Sequence, residues 1–153
     1  MEQIGYAIKT VKETEYFVDE SMEIGEQCDY LLNAGIDTKT ALGEIHFTIS
    51  YNYRRKGTTE DFLKGKTTSV FIIQNMKERV RIREGKETVD LPDPLLTTLF
   101  SISYTHARAM LARSAGGTKF GHMILPLINP EEQFKTIFKS EPQKNNPPGQ
   151  TSV

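Results

Sequence analysis

The chain has 153 residues, 37% of them hydrophobic and 25% charged, with a net charge of −1 and a sequence pI near 6.3. That length fits one domain, and a chain of this size covers enough of its own surface to keep a core without staples. The near-neutral balance excludes the strong basic field of a general nucleic-acid or anionic-membrane binder, and the longest uninterrupted apolar run, Val70 to Ile73, is far short of a membrane span.

The start, Met1-Glu2-Gln3-Ile4-Gly5, lacks the basic and apolar regions of a signal peptide, and the single cysteine, Cys28, cannot form an internal disulfide. Both features predict a cytoplasmic location. Tyr6, Ile8 and Thr10 share one face of a first strand; the phase breaks near Val11, and Tyr16 and Val18 resume an alternation. A bulge accounts for such a break, because one inserted residue flips the pleat. Residues 22–43 carry a short apolar patch, Cys28-Asp29-Tyr30-Leu31-Leu32, ended by Asn33-Ala34-Gly35, and read as an irregular loop or one helical turn.

Glu44 to Arg54 is the clearest strand. Ile45, Phe47, Ile49, Tyr51 and Tyr53 alternate with polar residues, the pattern of a sheet with one wet side. Residues 55–65 read as a polar connection. From Thr67 to Met76 a third strand sets Val70, Ile72 and Met76 on one face and Phe71 and Ile73 on the other, so both faces should be covered. Val80 and Ile82 then alternate with Arg79, Arg81 and Arg83 up to Gly85.

Asp93-Pro94 predicts a helix start, with Asp accepting from free first-turn amides and Pro at the first helical position. Leu96, Leu99, Phe100, Ser103, Ala107, Met110 and Leu111 form a stripe at helical spacing, of which Leu99, Phe100, Ala107, Met110 and Leu111 are assigned to the core. The reverse face, Thr97, Ser101, Thr105, Arg108 and Ala112, is small and weakly polar, which would let a second helix approach; Thr97, Ser101, Thr105 and Arg108 are therefore the expected subunit contacts. Gly116-Gly117 should end this helix after about twenty residues, roughly 30 Å. Phe120 to Ile128 reads as extended. Pro130-Glu131-Glu132 starts a short helix carrying Phe134, Ile137 and Phe138. Residues 140–153, rich in Pro, Asn and Gln, read as a disordered tail behind a single domain over 1–139. Strands followed by helices predict an α+β fold with an antiparallel sheet.

Catalytic chemistry finds little footing. His46, His106 and His122 fall on a strand, a helix and a loop without metal-ligand spacing, and nothing around Cys28 has the form of a nucleophile motif. Gly116-Gly117 is not followed by the Lys and Ser/Thr of a phosphate loop. Basic runs at Arg54-Arg55-Lys56 and Arg79, Arg81, Arg83 are interleaved with Glu78, Glu84 and Glu87, as on a solvated face. The informative feature is a surplus of apolar side chains. Phe71, Ile73, Phe120, Met123, Phe134, Ile137 and Phe138 exceed what a thin two-layer domain needs; oligomer contact is one explanation and a groove for exposed peptide the other, with Phe71, Ile73, Phe120, Met123, Phe134 and Phe138 as its candidate lining and core packing as the alternative for each.

The segment from Ala107 to Phe134 resembles the C-terminal half of the SecB family of protein-export chaperones. It holds the Ala107-Arg108 pair, the glycine stop, Phe120, the stretch Leu125-Pro126-Leu127-Ile128-Asn129, two acids and Phe134 at ungapped spacing. The order of the strand Thr67 to Asn75, the short strand and the long helix follows the same family, so the resemblance covers about two thirds of the chain. Gly121 stands where the family usually has Pro, and Pro130 where it has Phe. Ile72, Ile73, Gln74 and Asn75 stand where an acidic residue of the outer sheet would be expected. The resemblance implies a four-stranded, Greek-key-like antiparallel sheet backed by one long and one short C-terminal helix, assembled as a dimer of dimers. It implies ATP-independent holding of unfolded polypeptide, without cofactor or metal, and docking to the export ATPase SecA. A chaperone dedicated to one client, such as an antitoxin or one secreted protein, is the neighbouring reading. A small α+β enzyme with an apolar pocket is the alternative from another class.

Overall fold

The computed structural model describes residues 3–23 and 27–138. Four long strands form one antiparallel sheet: β1 (Tyr6–Val18), β2 (Cys28–Lys39), β3 (Glu44–Arg55) and β4 (Asp61–Ile73). Their spatial order is β1-β4-β3-β2, in which three consecutive strands are joined by short connections and the first lies beside the last. This is the Greek-key order that the resemblance to the SecB family implies. A separate hairpin follows, β5 (Val80–Arg83) and β6 (Lys86–Val89), and then two helices, α1 (Asp93–Ala115) and α2 (Pro130–Phe138). The predicted tail over 140–153 lies outside the described residues.

β3 follows its pattern without interruption. Ile45, Phe47, Ile49, Tyr51 and Tyr53 are buried beneath α1, and across the ladder they meet Phe71, Ser69, Thr67, Gly65 and Leu63 of β4. β4 begins at Asp61, inside the stretch read as a connection. As a central strand it is paired on both sides, and the ladders carry the polar run Lys64-Gly65-Lys66 that has no strand pattern of its own. It ends at Ile73, three residues early, because Asn75 turns left-handed (φ 55°) into a short 3₁₀ turn, Met76–Arg79.

β1 contains two irregularities, between Ile8 and Thr10 and between Glu13 and Glu15. Each inserts one residue, so Ile8, Val11, Glu13, Tyr16 and Val18 all lie opposite helix-facing residues of β4. The sequence reading finds the phase break and places it close to the first bulge. It misses β2 altogether: residues 28–39, read as loop, form twelve register pairs with β3. Tyr30, Leu32, Ala34 and Ile36 do alternate on its inner face, but Leu31 on the other face and the turn-favouring run Asn33-Ala34-Gly35 mask the pattern, and the long ladder to β3 makes it a strand.

Val80–Arg83 is a strand as expected, but it leaves the main sheet and pairs with Lys86–Val89 through Glu84 (φ 52°) and Gly85 (φ 75°), the two left-handed positions of a type I′ turn. α1 has 23 residues and is about 35 Å long. Its cap differs from expectation: Pro92 occupies the capping position and its carbonyl accepts from the Leu95 and Leu96 amides, while Asp93 is the first helical residue. The buried stripe, Leu99, Phe100, Ser103, Tyr104, Ala107, Leu111 and Ala115, packs on β3 and β4. The short α2 is capped by Asn129, whose Oδ1 accepts from the amides of Glu131 (3.1 Å) and Glu132 (3.3 Å). It docks on α1 through Phe134 and Phe138, which surround Phe100.

Candidate polypeptide-binding surface

α1 covers the middle of the sheet, reaches β1 with its last turns and leaves the β2 flank open. On the β2 flank the helix-facing side chains are Tyr30, Leu32, Ala34 and Ile36, opposite Tyr53, Tyr51, Ile49 and Phe47. None of these four β2 side chains is fully buried, and Tyr30 remains 45% exposed. Beyond them β2 presents a free edge, since among the described residues it is paired to β3 alone. An unpaired edge of this length can accept another extended chain through its backbone groups.

The far wall of this flank is the irregular segment 120–128. Three side chains of the core grip consecutive carbonyls there: Tyr53 Oη donates to Ile124 O (3.0 Å), Arg108 Nε to Leu125 O (3.0 Å) and Tyr104 Oη to Pro126 O (2.5 Å). Burial pushes both tyrosines up to about 12, so they remain donors throughout the physiological range. Leu125 is consequently turned into the core, whereas Ile124 (59% exposed) and Leu127 (84% exposed) face solvent. The Tyr30 ring lies 6.0 Å from that of Tyr53, whose hydroxyl holds Ile124. Tyr30, Leu32, Ile124 and Leu127, flanked by a free strand edge, make this an apolar surface with unsatisfied backbone groups beside it.

The candidate groove residues from sequence are not gathered here. Phe71, Ile73, Phe120 and Phe134 are buried in the core of the folded chain, and Met123 and Phe138 are half-buried against it. Phe71 packs edge-on against Phe47 and Tyr6, Phe120 lies 5.1 Å from Phe62, and Phe134 and Phe138 enclose Phe100. These side chains occupy separate parts of the helix–sheet and helix–helix seams, because the inner face of the sheet is wide enough to absorb the apolar surplus. The residues passed over, Tyr30 and Leu32, stand in the one apolar patch of the segment read as loop.

The expected subunit contacts are divided as well. Thr97 lines a hollow between the helices with Asp93, Pro94, Glu131, Phe134 and Lys135. Ser101 is half-buried and Arg108 is tied to the 120–128 segment; Thr105 is exposed and returns its hydroxyl to the Ser101 carbonyl. The solvent-facing stripe of α1 is rotated from the expected one and runs through Thr98, Ile102, Thr105, Ala109 and Ala112.

The histidines stay apart. His46 contacts Glu44 on the outer face of the sheet (3.0 Å), His106 Nδ1 contacts Ser69 Oγ beneath α1 (2.9 Å), and His122 is exposed. The Ser69–His106 pair has the atoms of a nucleophile and a base, but Ser69 is sealed from solvent and no carboxylate contacts the ring among the described residues. No group of three or more His, Cys, Asp or Glu that could hold a metal occurs among the described residues, and no helix there is long and apolar enough to cross a membrane.

Comparison with family models finds no match, and comparison with curated proteins finds none either. Among solved structures, the chain is similar to the SecB-like chaperone Rv1957 of Mycobacterium tuberculosis, in complex with a ChAD peptide from the Rv1956 HigA1 antitoxin. The TM-score is 0.53 at 14% identity, over 81% of this chain and 90% of that one. A protein of unknown function from Streptococcus agalactiae aligns over 82% of this chain and 100% of that one at 9% identity, but its TM-score of 0.30 is too low to carry an argument. With its four-stranded sheet and its long and short C-terminal helices, this chain has a SecB-like fold.

Proposed function

We propose that this chain is a molecular chaperone that holds non-native polypeptide without nucleotide or cofactor, acting in the cytoplasm as a homo-oligomer. The observation that carries the reading is the free β2 edge beside the half-buried Leu32 and the exposed side chains Tyr30, Ile124 and Leu127, on a SecB-like fold. An extended segment laid along that edge gains backbone hydrogen bonds of low sequence preference, and its side chains bury apolar area at roughly 25 cal/mol per Å². Binding draws down the free unfolded population by mass action, so no energy source is needed. Assembly would use the exposed α1 stripe around Thr105.

Between export and a dedicated client, the outer face of the sheet favours the client. Lys12, Lys64 and Lys66 project there with Glu15 beside the last two, and this mixed face is a poor counterpart for a partner that reads acidic side chains, as the SecB resemblance implies for SecA. The similar Rv1957 is bound to an antitoxin peptide, which supports a polypeptide client in general. The test is suppression of aggregation of a chemically unfolded protein diluted into nucleotide-free buffer. Saturable suppression that Tyr30→Asp with Ile124→Asp abolishes, at unchanged circular dichroism, is the expected result. Equal suppression by that double variant would remove the proposed surface.

A further inference from the structure

Beneath the last turns of α1, four buried oxygens have no hydrogen-bond partner among the described residues: Glu13 Oε2, Tyr16 Oη, Tyr51 Oη and Thr67 Oγ1. Polar atoms withdrawn from water are normally paired, and a charged one strongly so. These four are also neighbours. Thr67 is the register partner of Glu13, and Gly65, one inward position further along β4, is the partner of both Tyr16 and Tyr51. The second bulge of β1 is the cause of the grouping. Without the inserted residue, Glu13 and Tyr16 would point to opposite faces of the sheet; with it, both face α1. The absence of a side chain at Gly65 completes the space, since a Cβ there would lie 2.4 Å from Tyr51 Oη.

Tyr51 and Thr67 are each 1% exposed, so their hydroxyls have no route to bulk solvent. Both tyrosines are pushed up, first by burial and next by the Glu13 carboxylate, which confirms that the three groups lie within electrostatic reach. Glu13 Oε1 accepts from Ser114 Oγ of α1 (2.6 Å), which leaves Oε2 as the carboxylate oxygen without a hydrogen-bond partner among the described residues. One negative charge with three neutral hydroxyl oxygens is a hard-oxygen donor set of charge −1. A single positive charge neutralises it, whereas a divalent ion would leave a buried surplus.

We propose that Glu13, Tyr16, Tyr51 and Thr67 form a binding site for one monovalent metal cation of the Na⁺ or K⁺ class, enclosed between the second bulge of β1, Gly65 of β4 and the Ser114 end of α1. The site ties the edge strand β1 to the helix and is independent of the polypeptide-binding surface on the opposite flank.

The experiment is thermal unfolding of the full chain at one protein concentration and one pH above neutrality, in NaCl, KCl or choline chloride at equal ionic strength. Choline is too large for an enclosed site. The expected result is a saturable rise in Tm with Na⁺ or K⁺ over choline, about 3–5 °C once the ion exceeds its Kd tenfold. Glu13→Gln keeps an acceptor for Ser114 but removes the charge, and it should lose the dependence on cation identity; Thr67→Val, which removes one donor while keeping the shape, should shift half-saturation to higher concentration. Superimposed melting curves in the three salts would overturn the proposal and leave internal water or a protonated Glu13 as the occupant of the charge. A cation effect that survives Glu13→Gln would also overturn it, by moving the effect elsewhere.

Discussion

Replacing Phe134 by Ala separates core from binding surface in one comparison. Phe134 is the buried residue of α2, 2% exposed, with its ring 4.9 Å from Phe138 and 6.1 Å from Phe100. Truncating a buried Phe costs about 3–5 kcal/mol through lost transfer energy and the cavity left behind. A nine-residue helix is too short to persist without its docking contacts, so the loss should appear as release of α2. α2 holds nine residues against 23 in α1, so its release removes about a quarter of the helical signal. The assay is far-UV circular dichroism with a denaturant titration, run beside Tyr30→Ala. Tyr30 is 45% exposed, and surface substitutions of this kind shift stability by about 0.5 kcal/mol or less. The expected pattern is a large stability loss for Phe134→Ala and a near-native Tyr30→Ala with weakened client binding. A Phe134→Ala chain with intact helicity and midpoint, but impaired client binding, would refute the burial argument and return Phe134 to a groove.

Stability should fall with falling pH through the ordinary imidazole range in a manner that His106→Gln flattens. Partial burial between α1 and the sheet holds the His106 pKa below its usual value, so on acidification the unfolded chain takes up this proton first and folding opposes it; above that range both states are neutral and the term vanishes. Denaturation midpoints across that range in both proteins check the sign, and parallel curves would remove His106 as the source. Gly65→Ala should lower stability by about 1–3 kcal/mol, measured by the same titration, because the new methyl meets the buried Tyr51 ring at 2.4 Å from its oxygen and 2.7 Å from Cζ. Ala109→Arg should reduce the mass seen by light scattering at micromolar concentration while leaving the circular dichroism unchanged, since Ala109 lies on the exposed stripe of α1. An unaltered assembly would place the subunit contact elsewhere.

The outer face of the sheet shows how far polarity alone constrains the fold. Glu44, on that face, is nearly buried because Lys9 and His46 both engage its carboxylate, and these bonds hold its pKa below the usual carboxylate range. Lys9 reaches it from the first bulge of β1, where the inserted residue leaves the pleat. A residue that reads as wet by alternation is thereby covered by ion pairing, a compensation that makes its burial tolerable.

What the amino-acid sequence determined by itself is the part of the molecule governed by local periodicity and end chemistry. β3 follows from strict alternation, α1 from its apolar stripe, and α2 from Pro130 beside two acids; each is satisfied by side chains near it in the chain. The α+β class and the strand-to-helix order follow from those elements. Tertiary structure decided the rest. β2 exists because β3 offers it a ladder of twelve partners, and the first residues of β4 extend because both neighbours hold them. Whether Phe71 or Tyr30 stands open to solvent depends on which part of the sheet α1 covers, and no periodicity in a single strand contains that information. The same holds for the cluster at Glu13 and Tyr16: a bulge, a glycine on another strand and a helix end bring its oxygens together, and residues 13 to 114 of the chain lie between them.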